Sequence, residues 1–219
     1  MRSCPMPENP GRPRGDSDAR ARLISAAQQL FTAKHYQNVS TRELARYAGV
    51  DAALIRYYFG GKPGLFEQMV RETMAPMLAQ FQQLAGNDAP ADLSQLMQTY
   101  YTVIGSNPGL PRLLMRVLHE DQGSEPYHIL LSIFSDVLRL SQQWLMKGLV
   151  ASGRLRADMD PQLARLSFVS LMVFPLIAPP ALVSQLGVTL DQQGLQGLIP
   201  HHLAVLSDGV LAHDVKEGQ

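Results

Sequence analysis

The chain holds one cysteine, Cys4, inside a proline-rich start. A disulfide framework and a cysteine-based metal centre are both excluded, and such sparse thiol usage leads to an expected cytoplasmic location. Charge is scarce as well. Charged residues make up 17%, below the usual quarter or so, and 19 Lys/Arg balance 19 Asp/Glu. Long apolar runs are missing: the best stretch, 166–186, is interrupted by Pro175, Pro179 and Pro180. It reads as a broken buried helix rather than a membrane span, so no membrane partner is expected. The first residues lack the apolar segment of a secretion signal, and none is expected. No G-x-S-x-G elbow, phosphate-cradling glycine loop, dinucleotide glycine pattern or H-E-x-x-H is found. His201 and His202 are adjacent, and helical neighbours diverge, which makes them poor joint metal ligands. Catalysis, a metal and a cofactor are therefore not expected.

What is present is apolar residue in quantity, 46% of the chain, enough for a sizeable core. Its charge is unevenly spread. Residues 1–71 carry 11 Lys/Arg and 6 Asp/Glu, and residues 72–219 carry 8 and 13. A basic front on an acidic remainder points to a polyanion partner at one end. Pro5, Pro7, Pro10, Gly11, Pro13 and Gly15 make 1–16 an unstructured arm bearing Arg2, Arg12 and Arg14. Such an arm either follows a phosphate backbone or merely solubilises the chain.

Helical spacing begins after possible caps at Asp16, Ser17 or Asp18 and runs through Leu23, Ile24, Ala27, Leu30 and Phe31. Ser40 with Glu43 forms a capping box for a short second helix, which Gly49 ends. Asp51 caps a third helix, Gly60-Gly61 breaks it, and Pro63 opens a fourth that lasts to about residue 85. Two short helices joined by a tight turn form a helix-turn-helix. Further helical patterns fall at 92–105, 110–121, 126–152, 161–185 and 191–212. The expectation is an all-α chain of about nine helices. Its divisions are a disordered basic arm (1–16), a helix-turn-helix DNA-binding domain (17–62) and a larger helical body (63–219), a ligand-binding and dimerisation domain only by what the family resemblance of the headpiece implies.

The stretch from Ser40 to Lys62 resembles the TetR family of repressors. Its pattern is met by Thr41, Leu44-Ala45, Ala48-Gly49-Val50, Tyr58-Phe59, Lys62 and Leu65. Asp51 stands where the family usually has Ser or Thr, and Arg56 where many members have Tyr. The resemblance implies a recognition helix over 52–58 that enters the major groove of operator DNA. Small Ala52 and Ala53 permit close approach to bases, and Arg56 and Tyr57 point outward. Ser40, Thr41, Arg42, Tyr58 and Lys62 would hold phosphates, the first two also offering backbone N–H groups at a helix start. Leu44, Ala48, Val50, Leu54 and Ile55 should lock the two helices together, and Phe59 is read as an aromatic hinge.

The resemblance further implies a homodimer through helices near 161–185 and 191–212 and release from a palindromic operator by a small hydrophobic effector. Among the large apolar side chains, Tyr101, Met115, Trp144, Phe168 and Met172, with His119 as a polar contact, are the candidate ligand residues; most such residues are plain core. The alternative reading gives the C-terminal body a protein partner instead of a small molecule. A cavity favours the first reading, and a flat exposed apolar face the second.

Overall fold

The structure is a computed structural model that describes residues 14–86, 93–120, 122–145, 150–151, 155–156 and 158–208. Apolar residues three and four apart place Ala19, Leu23, Ala26, Ala27 and Leu30 on one buried face of α1 (Arg14–Ala33). The helix starts earlier than expected, so Asp16, Ser17 and Asp18 lie within its opening turns rather than capping it. Asp18 pairs one turn on with Arg22, at 3.3 Å. The rest of the expected arm, 1–13, lies outside the described residues. After α1 comes a 3-10 turn, Tyr36–Asn38, which periodicity did not announce. It drives Tyr36 into the core, stacked 5.3 Å from Phe31 and edge-on to Phe66 at 5.2 Å.

The capping box forms as read. Ser40 Oγ accepts from the Glu43 N–H at 3.1 Å and opens α2 (Thr41–Ala48). Gly49 ends that helix at φ +64°, a left-handed conformation that a side chain would strain. Asp51 Oδ1 accepts from the Ala53 N–H at 2.7 Å at the start of α3 (Ala53–Phe59). Both short helices contact α1. Leu44, Ala48 and Ile55 are buried, whereas Val50 and Leu54 are only half-buried, so the lock is narrower than expected. In α4 (Lys62–Gly86), Pro63 occupies the first turn, where its missing N–H costs nothing. Leu65, Phe66 and Met69 close the core of this first unit, which ends at Met69.

The second unit begins at Val70. Beyond the rest of α4 it contains α5 (Leu93–Gly105), α6 (Leu110–Glu120), α7 (Glu125–Leu145), α8 (Pro161–Ile177), α9 (Pro180–Gln185) and α10 (Gln192–Asp208). With α1–α4 these make an all-helical chain, with no strand among the described residues. Helix α5 packs on α10, and α6 packs on α7 and α8. Met97, Tyr101, Met172, Leu195 and Ile199 form one buried cluster across α5, α8 and α10. Arg165 ties α8 to α7, donating to Gln142 Oε1 at 2.8 Å and to the Leu138 carbonyl at 2.6 Å.

The helix expected over 161–185 is two helices. Pro175 is carried inside α8, but the Pro179-Pro180 pair ends it. A residue before proline is pushed out of the helical region, and Ala178 and Pro179 both precede one; their ψ values are 144° and 130°. Among the described residues, no helix is long and apolar enough to cross a membrane.

Candidate nucleic-acid interface

The side chains that α3 turns away from its core determine what the first unit can touch. Ile55 is fully buried; Ala53 and Tyr57, two residues to either side of it, lie on the opposite face, Arg56 flanks it, and these three together with Ala52 at the helix start are exposed. Tyr57 is 72% exposed, unusual for a large aromatic without a partner surface. Its ring lies 4.9 Å from that of half-buried Tyr58. Ser40, Thr41 and Arg42 are exposed at the start of α2. The Ser40 hydroxyl accepts in the cap and keeps its proton to donate, so this helix start offers Ser40, Thr41, Arg42 and backbone N–H groups. Arg42 and Arg56 carry exposed cationic groups and Thr41 and Tyr57 exposed hydroxyls, the donor types that phosphates and base edges accept from.

The Lys62 Nζ donates to the carbonyls of Tyr36 and Val39, both at 3.0 Å, and sits 4.1 Å from the centre of the Tyr36 ring. These contacts tie the ammonium to the turn between α1 and α2. The Arg20 guanidinium of α1 lies 5.5 Å from the ring centre of Phe59. Sequence reasoning passed over Arg46 and Tyr47, both exposed on α2, Tyr47 at 59%. The signal for Arg46 was present, since it follows Arg42 by one helical turn. Glu43, the only carboxylate on α2, is drawn off by Lys34 at 2.6 Å, and that hydrogen bond holds its carboxyl below the usual range.

Of the six candidate ligand residues of the second unit, the five whose side chains are described do not converge. Tyr101 and Met172 are buried members of the α5–α8–α10 cluster, with Phe168 packed against it, so packing already fills the space around them. His119 is exposed, its Nδ1 bonded to the Met115 carbonyl one turn back at 2.7 Å, and Met115 is half-buried. The side chain of Trp144 lies outside the described residues. A cleft of about 500 Å³ does exist elsewhere in this unit, among the ends of α5, α8 and α9 and the starts of α6 and α10, and none of the other five lines it. The Tyr101 hydroxyl instead meets His202 Nδ1 at 3.2 Å in the apolar cluster. Burial, and then the neighbouring His201, push the His202 imidazole below its ordinary value.

Residues 23–69 match the family described as bacterial regulatory proteins, tetR family. The chain is 33% identical over 84 residues to the probable HTH-type transcriptional regulator YttP of Bacillus subtilis, a match covering 38% of this chain and 41% of that protein. It is also 33% identical over 81 residues to the HTH-type transcriptional repressor BdcR of Escherichia coli, covering 37% and 40%. The matches thus span about two fifths of the length of these curated relatives. The fold resembles the transcriptional regulator FadR of Bacillus subtilis, crystallised with stearoyl-CoA, at TM-score 0.67 and 18% identity over 87% of this chain and 99% of that one. It also resembles NalD, the secondary repressor of the MexAB-OprM multidrug efflux pump in Pseudomonas aeruginosa, at 0.66 and 17% over 90% and 98%.

Proposed function

We propose that this chain, whose residues 23–69 match the tetR family of bacterial regulatory proteins, represses transcription as a homodimer on a palindromic operator and is released by a small molecule. The observation that carries the DNA-binding part is the exposed face of α3. Tyr57 stands opposite fully buried Ile55 on α3 and Arg56 flanks it, both exposed, so they approach DNA from a helix that is anchored in the core. Arg56 donates to a guanine edge or a phosphate, Ala52 and Ala53 admit close approach, and Thr41 and Arg42 hold the backbone. In this reading Lys62 braces the headpiece and contacts no phosphate.

The dimer reading is supported by α8. Leu163, Leu166 and Phe174 are 63%, 61% and 54% exposed and recur at helical spacing, an apolar row that a second copy would cover. Two-fold pairing then requires operator half-sites about one helical turn or more apart. A different protein could cover the same row, in which case the chain alone would sediment as a monomer. Release needs a ligand that binds a conformer with mismatched headpieces better than the DNA-bound one. No step in this scheme requires catalysis.

Footprinting of the region upstream of the protein's own gene, with parent chain and Arg56→Ala, tests the central claim. The variant should lose about 1–3 kcal/mol of operator affinity and relax base preference at one position per half-site. An unchanged footprint and affinity would remove α3 from the readout.

A further inference from the structure

The proline cluster that splits the expected helix also shapes a cavity. The chain leaves α8 at Ala178, passes through α9, turns at Gly187 (φ +75°) and returns at Asp191 to begin α10. Between this excursion and the α5–α6 connection lies the cleft of about 500 Å³. Ile104, Ala178, Val183 and Leu195, all buried, supply its apolar wall. The volume falls within the range of small-molecule sites, roughly 300–1,000 Å³.

Its polar groups are unequal. Asp191 Oδ1 is engaged, accepting from the Gly194 N–H at 2.8 Å as the cap of α10. Arg112, in the first turn of α6, lines the same cleft, is exposed, and has no ion pair or hydrogen bond among the described residues. Arg165 of the same unit, by contrast, is committed to two acceptors. A guanidinium offers a planar fork of donors matched to a carboxylate. An uncommitted one at the edge of an apolar cleft calls for a ligand with an apolar chain and one anionic head.

We propose that this cleft binds an aliphatic carboxylate, its chain against Ile104, Ala178, Val183 and Leu195 and its carboxylate accepting from Arg112. This rests on the ligand-responsive reading above, and it assigns both the place and the ligand class: an amphiphilic anion rather than a wholly apolar molecule.

Calorimetric titration of the full chain with decanoate and with decanol, both below their aggregation limits, tests it. Decanoate should bind about five- to tenfold more tightly than decanol, the gain of a partly exposed charge-assisted pair. Arg112→Ala should abolish that difference and leave decanol binding as it was. Ser184→Trp, at an exposed position lining the cleft, should weaken both probes. Both substitutions are at the surface, and unchanged circular dichroism melting shows that the fold is kept. Absence of decanoate binding, or equal decanoate binding by parent and Arg112→Ala, overturns the proposal. If decanoate binds as described yet leaves operator affinity by fluorescence anisotropy unchanged, the cleft assignment stands and release by ligand falls.

Discussion

Removing the Lys62 ammonium would leave the carbonyls of Tyr36 and Val39 without their shared donor at the turn that carries the chain into α2. A charged hydrogen bond of this kind contributes about 1.5–3 kcal/mol, and partial exposure lowers that to roughly 1–2. Lys62→Ala should therefore lower the melting temperature of the headpiece while leaving the salt dependence of DNA binding unchanged. A salt slope flatter by about one unit would return Lys62 to the phosphate contacts. His202 allows a test with a defined sign. Burial holds its folded-state pKa below the ordinary value, so the unfolded chain takes up the proton first as pH falls. The stability it contributes is complete above the unfolded value of about 6.5 and is lost below it. Between pH 7.5 and 5.5 the melting temperature of the parent chain should fall more steeply than that of His202→Leu. Parallel profiles would show that His202 does not titrate with unfolding.

The joint between α3 and α4 depends on close backbone approach. A Cβ built at Gly64 would lie 1.9 Å from the Phe59 carbonyl oxygen, a distance real side chains do not tolerate. Gly64→Ala must therefore shift the end of α3 against the start of α4. A loss of about 2 kcal/mol or more in denaturant unfolding of the headpiece is expected. A variant as stable as the parent would show that this joint is not closely built. The same joint shows where sequence reading succeeded. Ser40 with Glu43, Gly49, Asp51 and Pro63 each act within one turn of themselves, so capping and breaking rules located α2, α3 and the start of α4 to within a residue or so. Tyr36 was not legible, because its burial depends on Phe31 and Phe66, rings contributed by α1 and α4.

Assembly is decided by surface that the single chain leaves uncovered. Leu166 is 61% exposed in the middle of the apolar row of α8. Leu166→Glu would place a charge in the proposed two-fold interface without disturbing the core of the isolated chain. Sedimentation equilibrium should show a dimer for the parent and a monomer for the variant, with operator affinity lowered accordingly. A parent chain that is monomeric at micromolar concentration would instead assign the row to another protein.

Local rules operate over one or two helical turns, and they were enough for the sequence alone to determine the all-helical class, the helix-turn-helix and its exposed Arg56 and Tyr57. A buried apolar position on one side of a short helix dictates what emerges on the other. What the sequence could not decide was which apolar residues of the second unit leave space between them. Tyr101, Phe168 and Met172 look like pocket residues by type, yet they fill one another's surroundings across α5, α8 and α10. The cleft opens instead where Pro179 and Pro180 divert the chain past Arg112. Cavity position depends on contacts between segments distant in sequence, and only the tertiary structure brings those segments together.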